Sequence, residues 1–128
     1  HKAKIETYRL YTMPTEIILK RIYDPEGDDG YRILVERLWP RGISKDEAHI
    51  DYWAKDIAPT SELRRWYSHD PDKWNEFREK YFKELINNPK TTEFKELVSK
   101  HDKVTFLFAS REVEKNSANL LKDFILND

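Results

Sequence analysis

The apolar run Val104 to Ala109 (VTFLFA) limits the possible folds of this chain more than any other segment. Its length, β-branched and aromatic content and apolar character on both faces are those of a central strand covered on two sides. Two further strand patterns lie near the other end of the chain. Glu16 to Tyr23 (EIILKRIY) alternates, with Ile18, Lys20 and Ile22 on one face and Ile17, Leu19 and Arg21 on the other. Tyr31 to Leu38 (YRILVERL) is the next strand, after the Pro- and Gly-containing turn Asp24 to Gly30. That connection is shorter than the dozen or so residues a parallel crossover usually takes. If the first two strands are direct neighbours, they are expected to be antiparallel.

Helical signals fill the interval between Ser44 and Lys100. Ser44 and Glu47 have capping-box spacing, which predicts a helix to about Lys55. Thr60 or Ser61 caps a short helix through Tyr67. Asp70, followed by Pro71 at the first helical position, opens a longer one to about Ile86. Trp74, Phe77, Tyr81, Phe82 and Leu85 recur at helical spacing and form its core face. Thr91 to Lys100 and Glu112 to Leu126 are expected to be helical, the latter burying Ala118, Leu121, Phe124 and Ile125. The expected architecture is therefore α/β: a single small domain with a short mixed sheet of three or four strands packed by helices. Met13-Pro14 reads as a start, so residues 1–13 are expected to be an extension or expression remnant and 14–128 the domain.

Composition narrows the function classes. The 128 residues include no cysteine, which excludes disulfides, cysteine metal sites and a cysteine nucleophile. With 23 Lys+Arg against 24 Asp+Glu, the net charge of -1 disfavours a general nucleic-acid or membrane-surface binder. No apolar stretch approaches the length of a membrane span, and His1 to Thr12 has no signal-peptide core. A cytoplasmic location is the expectation. The glycines at 27, 30 and 42 form neither a Walker loop nor GxGxxG, and no cofactor is expected. No metal is expected either: His49, His69 and His101 lack ligand spacing, and the acidic turn Asp24, Glu26, Asp28, Asp29 has Val35 where a calcium loop needs its final Glu.

One edge of the sheet attracts the remaining chemistry. A long helical connection makes the strand ending in Arg37-Leu38-Trp39-Pro40-Arg41-Gly42 parallel to the one ending in Ala109-Ser110-Arg111. Their carboxyl ends then share an edge, where ligands of open α/β sheets bind. Arg37, Arg41 and Arg111 are expected to converge there as a clamp for a phosphate or carboxylate. Ser110, Asn116 and the first amides of the closing helix add hydrogen-bonding groups, and Trp39 is placed to stack. The alternative is that the arginines form structural pairs with Glu36, Asp56 or Glu112. Asp56 is a weak candidate for a catalytic acid or base, set against a structural ion pair near a helix end. His69, in the turn before a helix cap, becomes an acid or base only if it folds over the site.

Several runs in this chain resemble successive motifs of a known family. They are Lys20 to Pro25, Asp29 to Val35, Arg37-Leu38-Trp39-Pro40-Arg41-Gly42, Trp53 to Pro59, Glu62-Leu63-Arg64, His69-Asp70-Pro71 and Arg111 to Asn116. Together they resemble the YeaO-like branch of domain-of-unknown-function family 488. Thr60 stands where that pattern carries serine and retains a capping hydroxyl. The resemblance implies a small α/β domain found in prokaryotes and no particular reaction. Its motif residues include Arg37, Trp39, Arg41, Asp56 and Arg111. Three functions compete: binding of, or enzymatic action on, a small anionic ligand at the sheet edge; a nucleic-acid or regulatory module using Arg64, Arg65 and Arg78; and a protein-interaction domain using Tyr52, Trp66 and Tyr67. Acids interleaved among the arginines of the second argue against it.

Overall fold

Four strands, all parallel, form one sheet in the order β1-β4-β2-β3 in the computed structural model, which describes residues 14–127. The extension expected over residues 1–13 lies outside the described residues. The strands are β1 (Glu16–Arg21), β2 (Tyr31–Leu34), β3 (Tyr52–Trp53) and β4 (Lys103–Phe108). The helices are α1 (Lys45–Ala48), α2 (Ser61–Tyr67), α3 (Trp74–Asn87), α4 (Thr91–Ser99) and α5 (Ser117–Leu126). Short 3-10 turns at Lys55–Ile57 and Pro71–Lys73 precede α2 and α3. The fold is α/β in a single domain. Among the described residues no helix is long and apolar enough to cross a membrane.

The apolar run is central, as expected. β4 pairs β1 from Glu16 opposite Lys103 to Arg21 opposite Phe108, and β2 from Tyr31 opposite Val104 to Leu34 opposite Leu107. Alternation then sorts the side chains. Ile17, Ile33, Val35, Val104, Phe106 and Phe108 face the main core, closed by Phe77, Tyr81 and Leu85 of α3, Phe94 and Val98 of α4 and Ala118 and Leu121 of α5. Ile22, Leu34 and Leu107 face a thinner layer built from Ala48, Trp39, Ile43 and Trp53. Long helices thus cover one face, and loops with a one-turn helix cover the other.

The mixed character expected of the sheet is corrected, because β1 and β2 are not neighbours. β4 lies between them, and residues 22–30 cross over it so that both flanking strands run parallel to it. Nine extended residues span about 30 Å at most, enough to return along a four- to six-residue strand without a helix. The crossover is held against the sheet by buried polar contacts. Asp29, 5% exposed, accepts from Lys20 Nζ at 2.7 Å and from Arg32 Nη1, while its carbonyl accepts the Thr105 hydroxyl at 2.7 Å. Arg32 also donates to the carbonyls of Ala48 at 2.8 Å and His49 at 3.0 Å.

Three helix boundaries also differ from expectation: Asp70 caps the 3-10 turn Pro71–Lys73, and the α-helix expected from Pro71 begins only at Trp74. The Ser44 capping box is present, but its helix ends after one turn at Ala48, where His49 adopts a left-handed φ of 47°. The edge of β2 captures the chain beyond it: Asp51 N donates to Arg32 O, and Ala54 N to Leu34 O, both at 2.8 Å. The closing helix begins at Ser117 rather than Glu112. Asn116 is its N-cap, accepting from Asn119 N at 2.9 Å and donating to Glu112 O at 2.7 Å. This folds residues 109–116 into a braced loop.

Candidate functional site

The carboxyl edge of β2 and β4 opens into a cleft of about 590 Å³. Glu36 and Ala109, just past the two strand ends, lie at its base. Leu38 joins them, residues 59–65 contribute Pro59, Ser61, Arg64 and Arg65, residues 67–77 contribute Tyr67, Ser68, His69 and Phe77, and the loop into α5 contributes Ser110, Lys115, Asn116 and Ser117. Its volume is within the usual range for small-molecule sites. Three of the lining residues are cationic, Arg64, Arg65 and Lys115, against the single carboxylate of Glu36.

Local sequence explains how each wall is held. β2 runs out of ladder partners after Val35, whose amide still reaches Leu107 O at 3.1 Å. The next amide across, that of Ala109, donates to Glu36 Oε2 at 2.9 Å, so a side chain completes the pairing. Glu36 Oε1 lies 3.7 Å from Arg64 Nη1, beyond hydrogen-bonding distance. Burial pushes the Glu36 carboxyl above its ordinary pKa, against the lowering effects of the Ala109 amide and the Arg64 charge. From β1, Arg21 donates to the carbonyls of Ser110 at 2.9 Å and Ala109 at 3.1 Å, pinning the loop opposite.

The wall after α2 is strained. Ser68 and His69 have φ of 46° and 57°, consecutive left-handed residues that are not glycine. Such geometry costs about 1 kcal/mol or more per residue and persists where the surrounding structure enforces it, often at functional sites. Here it turns the chain from α2 into the Asp70 cap and sets His69 on the cleft wall. Tyr67 stacks on Phe77 with ring centroids 4.4 Å apart. Its phenol is raised in pKa by burial, with smaller contributions from Glu112 and Asp70.

The structure brings together some of the expected site residues and separates others. Ser110 and Asn116 line the cleft, although Asn116 uses its side-chain amide in capping. Arg37 turns away and donates to Pro59 O at 3.0 Å and Ala58 O at 2.8 Å, which braces the strand-to-α2 connection behind the cleft. Trp39 packs edge-on against Trp53 and donates to Ile43 O at 2.7 Å, a core role. Arg41 and Arg111 are exposed and are not among the residues lining the cleft, so the three guanidiniums do not meet in it. Asp56 is exposed and pairs with Lys90 at 2.7 Å, which lowers its pKa. Among the described residues no group of three or more His, Asp or Glu is arranged to hold a metal.

The cleft cations are therefore Arg64 and Arg65, which sequence reasoning assigned to a different function, and Lys115, which it passed over. Glu36 entered that reasoning only as an ion-pair partner. One signal could have found it: it directly follows the β2 run at the carboxyl edge, and a lone acid there has an amide of the neighbouring strand within reach.

Glu36→Gln tests the electrostatics of this floor. A carboxyl with a raised folded pKa contributes stability below its unfolded pKa, about 4.3, and that contribution is lost as pH rises through the folded value. Glutamine keeps an acceptor for Ala109 without the buried charge. The variant is expected to be more stable than wild type by about 1 kcal/mol at pH 7. The gain should vanish near pH 4 in urea unfolding. A loss of stability at pH 7 would show that the Arg64 interaction outweighs the desolvation.

The comparisons with known proteins agree on one family. Residues 16–128 match the family described as the inactive DUF488-N3 subclade. The uncharacterized protein Rv3073c of Mycobacterium tuberculosis is 38% identical over 112 residues, covering 87% of this chain and 94% of that protein. The uncharacterized protein YeaO of Escherichia coli is 39% identical over 107 residues, covering 83% and 93%. No solved structure matches the chain. With nearly all of the described domain matched and two bacterial relatives above the level at which a family is shared, this chain belongs to the DUF488 family, in its inactive N3 subclade and with YeaO-like relatives.

Proposed function

We propose that the cleft at the carboxyl edge of the sheet binds a small phosphate- or carboxylate-bearing ligand without turning it over. The observation that carries this reading is the surplus of cations around the cleft: Arg64, Arg65 and Lys115 against Glu36. Guanidinium forks suit planar or tetrahedral anions, and Ser61, Ser68 and Ser110 supply neutral hydrogen-bonding groups around them. Binding rather than catalysis is favoured by the description of the subclade as inactive. The exposed ion pair of Asp56 with Lys90, outside this cleft, adds nothing toward proton transfer here.

A thermal-shift and calorimetric titration with phosphate, sugar phosphates and small carboxylates tests the reading. A ligand at a hundredfold its Kd should stabilise the folded chain by about 2.7 kcal/mol. Arg64→Ala should weaken binding at least tenfold, since a hydrogen bond to a charged group contributes roughly 1.5–3 kcal/mol. Arg41→Ala, at an exposed position outside the cleft, should leave affinity unchanged. If no phosphate or carboxylate shifts the transition, or if Arg41→Ala abolishes a shift that Arg64→Ala leaves intact, this assignment is wrong.

A further inference from the structure

A carboxylate at the base of a cleft rimmed by cations is a poor feature for a plain anion site, because it repels the ligand the rim attracts. We infer that Glu36 makes the cleft selective for anionic ligands that also carry an N–H donor, an amino or nucleobase imino group, which its free carboxylate oxygen accepts. This deepens the anion-binding reading above and rests on it.

The geometry of Glu36 carries the argument. Oε2 is occupied by the Ala109 amide at 2.9 Å, which fixes the carboxylate plane against the end of β4. Oε1 stands 3.7 Å from Arg64 Nη1, an electrostatic neighbour but not a hydrogen-bond donor to it. Among the described residues no buried side-chain oxygen or nitrogen lacks a partner, so Oε1 is reached from the cleft. Glu36 is 9% exposed, so Oε1 is an acceptor already largely withdrawn from solvent. A ligand that covers Oε1 without donating to it leaves that oxygen with no hydrogen bond, only the Arg64 charge nearby, and binds less well than one that donates. The cleft, about 590 Å³ with Tyr67, His69 and Phe77 in its lining, is large enough for a ring, and Arg64, Arg65 and Lys115 are the cations available to an anionic group.

Two matched pairs of phosphates separate the sources of the donor. Glucosamine 6-phosphate and 2-deoxyglucose 6-phosphate differ in one amine. Adenosine monophosphate and purine riboside monophosphate differ in the amino donor on the base edge. By titration calorimetry, wild type is expected to bind the donor-rich member of at least one pair tenfold or more tighter. A preference in the first pair assigns an amine, and one in the second a nucleobase. Glu36→Gln keeps the bond to Ala109 but can present an amide donor, so it should abolish or reverse the preference while still binding phosphates. If wild type binds both members of both pairs equally, or Glu36→Gln keeps the preference, the inference fails and the anion-binding reading stands. Absence of binding by all four compounds overturns this inference and the phosphate half of the anion-binding reading.

Discussion

Gly30→Ala is expected to destabilise the fold by about 3 kcal/mol or more, well beyond the ordinary cost of a surface substitution. Gly30 ends the β1–β2 crossover with a φ of 63°, in the left-handed region. A Cβ there would lie 2.3 Å from the carbonyl oxygen of Lys103 and 2.9 Å from its carbonyl carbon, both backbone atoms at the start of the central strand. Neither can rotate away. Relief requires either moving the crossover off β4 or shifting β4 within its ladder, and both disturb the Thr105 and Arg32 anchors. Gly42 separates the two contributions. Its φ of 78° carries similar strain, but a Cβ there meets nothing within 4 Å. Gly42→Ala should therefore cost about 1–2 kcal/mol from backbone strain alone. Urea unfolding of the two variants reads the difference directly. Equal losses would mean that the crossover yields to the clash and does not lie tightly on β4.

The same crossover marks a limit of what the sequence made legible. The β1, β2 and β4 patterns, the α2, α3 and α4 helices, the Thr60 cap of α2, the Asp70 cap of the turn leading into α3, and the parallel relation of β2 and β4 all followed from local chemistry. A capping hydroxyl or an apolar alternation acts over a few residues and carries its own meaning. The insertion of β4 between β1 and β2 did not follow, because a nine-residue link is compatible with a hairpin or with an extended crossover. What decides between them is the competition of β4 for both edges. The end of α1 was hidden for a related reason. Residues 50–54 are compatible with helix, yet hydrogen bonds to the free edge of β2 are available only after the sheet forms.

The cleft shows the same division. Strand-end reasoning pointed to the sheet edge where this cleft lies, and Ser110 and Asn116 line the opening there. It could not assign the arginines. Arg37 finds two stacked carbonyls at Ala58 and Pro59, Arg21 finds two at Ala109 and Ser110, and Arg32 finds Asp29. A guanidinium satisfied by backbone carbonyls is a brace, and nothing in a motif distinguishes it from one facing a ligand. The cations left facing the cleft come from α2 and the loop before α5.

Arg32→Met is expected to destabilise by about 3–5 kcal/mol at pH 7, the cost of breaking a buried ion pair by removing one partner. Methionine preserves much of the apolar stem, so the loss falls on the charge and its hydrogen bonds. Arg32 is 4% exposed, and its guanidinium serves Asp29 and the carbonyls of Ala48 and His49, joining crossover, strand and α1 in one network. The acid limb distinguishes this from a packing defect. Burial alone would raise the Asp29 pKa, but the hydrogen bonds from Lys20, the Gly27 amide and Arg32 overcome it and hold the carboxyl below its ordinary value. A depressed folded pKa contributes stability above the unfolded value, near 3.9, and loses it as pH falls through the folded one. The gap between wild type and Arg32→Met should therefore be full at pH 7 and narrow below about pH 4, once Asp29 protonates and no longer needs its partner. Asp29→Asn should flatten the acid limb of wild type and reduce the additional cost of Arg32→Met, a coupling that a double-mutant cycle measures. A pH-independent gap, or strict additivity of the two substitutions, would show that Arg32 stabilises the fold through its carbonyl contacts and stem packing, with Asp29 held in place by Lys20.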